Sequence, residues 1–277
     1  MDHKKRTRHR RNPVSGHDHH VRKNRLDREK GSYLKKWTGR LPIALLYPNS
    51  YRVGMSNLGF QIVYHLLNED DRIVCERVFL PDRKDPDLRS VESIRPLADF
   101  PIIFCSVSFE HDYVNLAKLL LQAGIDPIAG QRSDTICNDS PLLVCGGVVT
   151  FMNPEPLADM VDLFVVGEAE PLLPYLVDML CDEQSLKSRH ELLLGLNRKK
   201  SGYYAPRFYQ PEYDETGNFN GYKIKSGLPR RIKKVILETK DRAAHSELLT
   251  PETEFADLYL TELGRGCSRG CRFCTAG

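Results

Sequence analysis

From Leu41 to Leu180 the chain alternates short apolar runs with segments of helical periodicity, and this alternation limits its possible folds more than any other feature. The runs Ile43–Tyr47 (IALLY), Ile73–Phe79, Ile102–Ser108, Leu142–Cys145 and Leu163–Val166 read as buried strands. Between the first two, Phe60, Val63, Leu66 and Leu67 share one helical face, with Ser56 or Asn57 placed to cap it. A second helix is expected from about Tyr113 to Ala123, ending at Gly124, and Pro171 suits the first turn of a closing helix to Leu180. Strand and helix in alternation predict an α/β domain built on a doubly wound parallel sheet.

Ligands of such sheets sit beyond the carboxyl ends of the strands. The loops Pro48–Gly59 (PNSYRVGMSNLG), Ser106–Asp112 (SVSFEHD), Gly146–Pro156 (GGVVTFMNPEP) and Gly167–Pro171 (GEAEP) all fall there, so this rim is expected to form a binding site. Glu110, His111 and Asp112 follow a strand and suit either acid–base work or capping of the next helix. His65 reads as a packed or exposed helix residue. Glu168 and Glu170 place negative charge at a helix N-terminus.

After Cys181 the pattern changes. Ser188–Leu196 reads as a short connecting helix, and SGYYAPRFYQPEYDETGNFNGYKI as a β-hairpin turning at Asp214–Asn218. Its aromatics Tyr203, Tyr204, Phe208, Tyr209 and Tyr213 are expected to pack between two domains, and Pro229–Lys240 to run on as a linker strand.

The last stretch, LYLTELGRGCSRGCRFCTAG, gathers Cys267, Cys271 and Cys274 within eight residues, while the other five cysteines are scattered singly. Three thiolates from one loop form a soft-metal site, iron–sulfur or zinc. A closed zinc site needs a fourth ligand, and neither histidine nor cysteine follows between Cys274 and Gly277. Leu258, Leu260 and Leu263 read as a buried strand ending just before the cysteines. Gly264, Gly266 and Gly270 permit tight turns, and Arg265, Arg269 and Arg272 favour thiolates.

CSRGCRFC, with Phe273 directly before the third cysteine, resembles the cluster loop of the radical S-adenosylmethionine (SAM) superfamily. The resemblance implies that Cys267, Cys271 and Cys274 hold a 4Fe–4S cluster, that Phe273 lies beside the cofactor, and that the fourth iron binds SAM for reductive cleavage to a 5′-deoxyadenosyl radical. It also implies an electron donor such as flavodoxin or ferredoxin. A barrel of that superfamily takes on the order of 200 further residues, so the chain is expected to be an enzyme's N-terminal portion, inactive by itself.

Upstream, YPNSYRVGMSNLGFQIVYHLL, CERVFLP, TFMNPEPLAD and GYYAPRFY resemble an uncharacterised subgroup of that superfamily with a cobalamin-binding, flavodoxin-like domain. Cobalamin domains that ligate cobalt use D-x-H-x-x-G after the first strand. Here the place reads Asn49-Ser-Tyr51-Arg-Val-Gly54, with the glycine kept and the imidazole absent. A tyrosine, with its ordinary pKa of about 10, replaces histidine poorly as a ligand. Ser106 and the pair Gly146 and Gly147 resemble the family's nucleotide-tail contacts. Two readings stay open: a corrinoid held without a protein ligand, or a degenerate domain that shapes the site or docks a partner.

Residues 1–40 hold fourteen Lys or Arg against four acids, a balance of +10 in a chain of net charge +3. This arm is expected to be disordered up to about Gly31 and offers phosphate contacts to RNA through residues 1–31, although no aromatic precedes Tyr33 for base stacking. His17, His19 and His20 do not make a site. No apolar run nears the roughly 18 residues of a membrane span, no secretory signal is evident, and the unpaired cysteines suit a cytoplasmic location. The expected division is a basic arm (1–40), a cobalamin-binding-like α/β domain (41–185), a connecting helix and hairpin (186–250) and the first strand and cluster loop of a (β/α) barrel (251–277). A non-catalytic corrinoid-, nucleotide- or partner-binding module, and an RNA-associated protein, are the alternatives.

Overall fold

The computed structural model describes residues 24–81, 88–182, 185–199, 201–238, 243–256 and 258–274. The basic run His3–Arg11 and the histidines His17, His19 and His20 lie outside them.

A six-stranded sheet organises the chain: β1 (Leu41–Tyr47), β2 (Ile73–Phe79), β3 (Ile102–Ser106), β4 (Leu142–Gly146), β5 (Leu163–Val165) and β6 (Tyr203–Tyr204). Its order is β2-β1-β3-β4-β5-β6, parallel through β5, with β6 added antiparallel at the edge. Growth reverses at β1, giving the doubly wound topology that the alternation predicts. The strands are apolar throughout because both faces are covered: every residue of β2 is buried, including Glu76 and Arg77.

Short polar side chains set the helix starts. The Ser50 hydroxyl accepts the Val53 amide to open α1 (Tyr51–Met55), and the Asn57 side chain accepts the Phe60 amide at 3.0 Å to open α2 (Leu58–Glu69). Helix α3 (His111–Gln122) follows β3, and a short α4 (Val149–Met152) follows β4. Helix α5 (Ala169–Cys181) follows β5, carries Pro171 in its first turn and packs against α2.

Three features depart from the sequence reading. Residues 24–40 are docked, not an arm ending near Leu41. Lys30 pairs antiparallel with Leu249, the Lys35 ammonium donates to the carbonyls of Asn68, Asp70 and Ile73, and the Trp37 indole donates to Glu76 at 2.6 Å. Polar anchors and a few isolated apolar side chains, Leu26, Tyr33 and Trp37, hold this segment, so apolar periodicity gives no sign of it.

The α/β body also runs past 185. Helix α6 (Arg189–Lys199) buries Leu192, Leu193, Leu194 and Leu196, and Tyr203, Tyr204, Phe208 and Tyr209 close the far edge of the core. The hairpin of β7 (Tyr209–Tyr213) and β8 (Phe219–Ile224) projects from this body, with Tyr213 and Phe219 exposed. Its turn is built by Asp214, whose carboxylate accepts the amides of Thr216 and Asn218 at 2.9 Å.

Leu258–Leu263 forms no buried strand. Leu258 and Tyr259 are exposed, Leu263 is fully so, and Thr261 makes an isolated antiparallel bridge to His245. A barrel strand is buried by neighbours on both sides; here one short stretch lies alongside.

Candidate cofactor site at the sheet rim and cysteine loop

The crevice between the ends of β1 and β3 is knitted by side chains. The Asn49 amide donates to Asp112 Oδ1 at 3.1 Å, while Asp112 Oδ2 accepts the amides of Ser108 (3.2 Å) and Phe109 (3.0 Å). Asp112 is completely buried, so it closes the β3–α3 loop and is not presented to a substrate. Ser106 pairs with Gly146 across β3 and β4. Gly147 has φ +98°, and a Cβ there would lie 2.4 Å from the Val107 carbonyl oxygen, so glycine is required where two loops cross. A Cβ on Gly146 would meet nothing within 4 Å, so the rim is open at that position.

Tyr51 is turned away from this rim. Its hydroxyl bonds Glu29 and lies 3.2 Å from Thr250 Oγ1, and the Arg25 guanidinium stands 4.1 Å over its ring. Burial, reinforced by the Glu29 charge, holds the phenol well above its ordinary pKa. Gly54 lets α1 pass against Phe79, where a Cβ would come within 2.5 Å of the ring. Asn49, Ser106, Gly146 and Gly147 thus belong to the rim, whereas Tyr51 belongs to a charged core beside it.

That core is one the sequence concealed. Arg77 is wholly buried and pairs with Glu29 and Glu92, each at 2.6 Å. Burial alone would raise the Glu29 carboxyl, but the charge and hydrogen bonds of Arg77, with those of Ser32 and Tyr51, hold it below the ordinary range. Burial wins at Glu92, which is pushed up. Next to this core, where residues 28–30 meet 246–260, a cavity of about 280 Å³ is lined by Lys30, Met55, Gln61, Thr250, Phe255 and Tyr259 among others. Gln61 ties its wall by donating to the Met55 carbonyl and accepting the Leu248 amide.

The cysteine loop is exposed. Cys267, Cys271 and Cys274 are free thiols at the surface, and Phe273 is 92% exposed. Gly266 and Gly270 adopt φ of +81° and +58°, and the Cys274 amide donates to the Cys271 carbonyl at 3.0 Å in the turn between them. Among the described residues no three His, Cys, Asp or Glu side chains are drawn together as a metal cage. Arg265 anchors the approach to the loop through Glu168, Glu170 and Glu262. Also among the described residues, no helix is long and apolar enough to cross a membrane.

Residues 59–206, more than half of the chain, match the family described as radical SAM proteins, N-terminal, and the chain belongs to that family. It is 25% identical over 234 residues to the uncharacterized protein MJ0966 of Methanocaldococcus jannaschii, a match covering 84% of this chain and 40% of that protein. The chain therefore spans about two-fifths of that relative's length. Among solved structures it is similar to the radical S-adenosylmethionine methyltransferase TsrM from Kitasatospora setae, with 15% identity and a TM-score of 0.32 over 70% of this chain and 36% of that one.

Proposed function

We propose that this chain is the N-terminal portion of a radical SAM enzyme in which Cys267, Cys271 and Cys274 bind a 4Fe–4S cluster that in turn binds SAM. The observation that carries this reading is the set of three free, exposed thiols within eight residues, in a chain whose upstream domain belongs to the radical SAM N-terminal family. The donors fit: three soft thiolates suit iron–sulfur ligation, and two glycines in left-handed backbone let a short loop wrap a compact group. When bound and reduced, such a cluster supplies the electron that cleaves SAM. Phe273 contributes an exposed ring to cover the bound cofactor, and a small donor such as flavodoxin or ferredoxin is the fitting reductant.

The α/β rim offers a second ligand surface. Open space over Gly146 supports a corrinoid or nucleotide there, and the inward commitment of the Tyr51 hydroxyl means that a corrinoid would be held without an axial ligand from that residue.

Anaerobic reconstitution with iron and sulfide tests the cluster. About four irons per chain are expected, with Cys271→Ala losing them. Stoichiometric zinc with no iron chromophore would overturn the reading in favour of a zinc loop. Equilibrium binding of cobalamin, with Gly146→Glu as the blocked control, decides the rim.

A further inference from the structure

Arg265 lies two residues before the first loop cysteine, and its guanidinium meets three carboxylates: Glu170 at 2.5 Å, Glu262 at 2.7 Å and Glu168 at 3.0 Å. Two of them stand after the carboxyl end of β5, Glu168 at the N-cap and Glu170 in the first turn of α5; the third lies on the segment that leads into the cysteines. Two of the carboxylates, Glu168 and Glu262, are themselves fixed. The Glu168 side chain accepts the Leu237 amide at 2.5 Å while its backbone amide donates to the Val235 carbonyl at 2.9 Å. Val235 pairs in parallel with Gly167, where φ is +139° and a Cβ would lie 2.2 Å from the Val235 oxygen. Glu262 accepts the Ala244 amide at 3.2 Å and returns its own amide to the Ala244 carbonyl at 2.7 Å. One cation therefore joins the β5 rim, the 235–237 linker and the 244–262 segment immediately before Cys267.

Charge at a helix N-terminus accounts for Glu168 and Glu170 alone, but not for a guanidinium brought to them from 95 positions away.

We propose that Arg265, Glu168 and Glu170 are positioning residues: a clasp that holds the cysteine loop beside the carboxyl end of β5, so that whatever the three thiols bind lies against the rim of the α/β domain. The clasp rests on the cluster reading only for the identity of that bound group. The placement of the loop stands independently of it.

Hydrogen exchange of residues 258–274 in the iron-free 277-residue chain is the test. Arg265→Glu is expected to speed exchange of this segment by about fivefold to thirtyfold, with β1–β5 protection unchanged as the control for folding. Arg265→Lys, which keeps the charge, retains most of the protection, and Glu168→Gln with Glu170→Gln reproduces the loss. Unchanged exchange in Arg265→Glu overturns the clasp. After anaerobic reconstitution to equal iron content, the electron paramagnetic resonance spectrum of the reduced group shifts in Arg265→Glu and not in Arg265→Lys; superimposable spectra overturn the positioning role. Absence of iron from the parent chain as well sinks the cluster reading alone and leaves the clasp to the exchange result.

Discussion

Two kinds of arginine–carboxylate cluster occur in this molecule, and they differ in how far water is excluded. At the amino edge of the sheet, Asp162 receives Arg132 at 2.6 Å and Arg189 at 2.8 Å, with all three side chains essentially without solvent contact. At the opposite rim, Arg265 meets three carboxylates, yet every partner is 15–30% exposed. The buried cluster is bound into the fold: Arg189 also donates to the carbonyls of Ser133, Ser140 and Pro141, tying α6 to the turn before β4. The part-exposed cluster fastens a segment with little core of its own, Leu258–Cys274, to the well-packed start of α5. Similar groups therefore do different work, stability in one place and placement in the other.

The sharpest way to break this contrast is Asp162→Ala, which leaves two buried guanidinium groups uncompensated. A loss of about 3–5 kcal/mol is expected, read as a fall in the denaturant midpoint at constant slope. A change under about 1 kcal/mol would place this cluster in the same class as the rim. Next comes Glu29→Gln, expected to cost about 2–3 kcal/mol by leaving Arg77 short of a charge. Because the folded-state pKa of Glu29 is depressed, its contribution is full above the ordinary glutamate value of about 4.3 and is lost as pH falls through the depressed value. Glu92 is raised and so titrates on the other side of that value, leaving the acid limb to depressed groups such as Glu29. Acid titration of Trp37 fluorescence, the only tryptophan in the chain, should report this loosening of residues 24–40, and Glu29→Gln should flatten it.

Smaller effects are expected at the other rim. Gly167→Ala should cost about 1–2 kcal/mol, seen as faster exchange at Val235–Leu237. Glu170→Gln should change global stability by less than about 1 kcal/mol, and Cys271→Ser by no more than about 0.5 kcal/mol, because neither group supports the core.

The same divide separates what the sequence disclosed from what it concealed. Apolar runs such as Ile102–Ser106, the Asn57 cap and the turn at Asp214 are legible because local chemistry determines them. The cysteine spacing is legible for the same reason. The sequence gives no sign of the carboxylate and carbonyl partners, 48 and 49 positions away, that let Arg77 and Arg189 be buried. The docking of Glu29 was masked by the basic composition around it. Its place after β1 suggests the rim for Tyr51, but as the first residue of α1 it turns its hydroxyl towards Glu29. Leu258–Leu263 misled in the opposite direction: its apolar residues suggested burial, and whether such a segment is buried depends on neighbours that local pattern does not supply.

The pairing of the docked N-terminal segment with residues near 250 also has a temporal meaning. Arg25 and Glu252 are 227 positions apart, yet they bond at 3.1 Å, and Lys30 pairs with Leu249 beside them. During synthesis Arg25 and Lys30 emerge well before Glu252 and Leu249, which leave the ribosome after the whole sheet has been made. Closing so long a loop costs little more than closing a short one, since the entropy grows only with the logarithm of length. The segment can therefore be fastened in two stages: Glu29, Lys35 and Trp37 find partners among residues 68–77, and the contacts of Arg25 and Lys30 near residue 250 can close only after the sheet has been made.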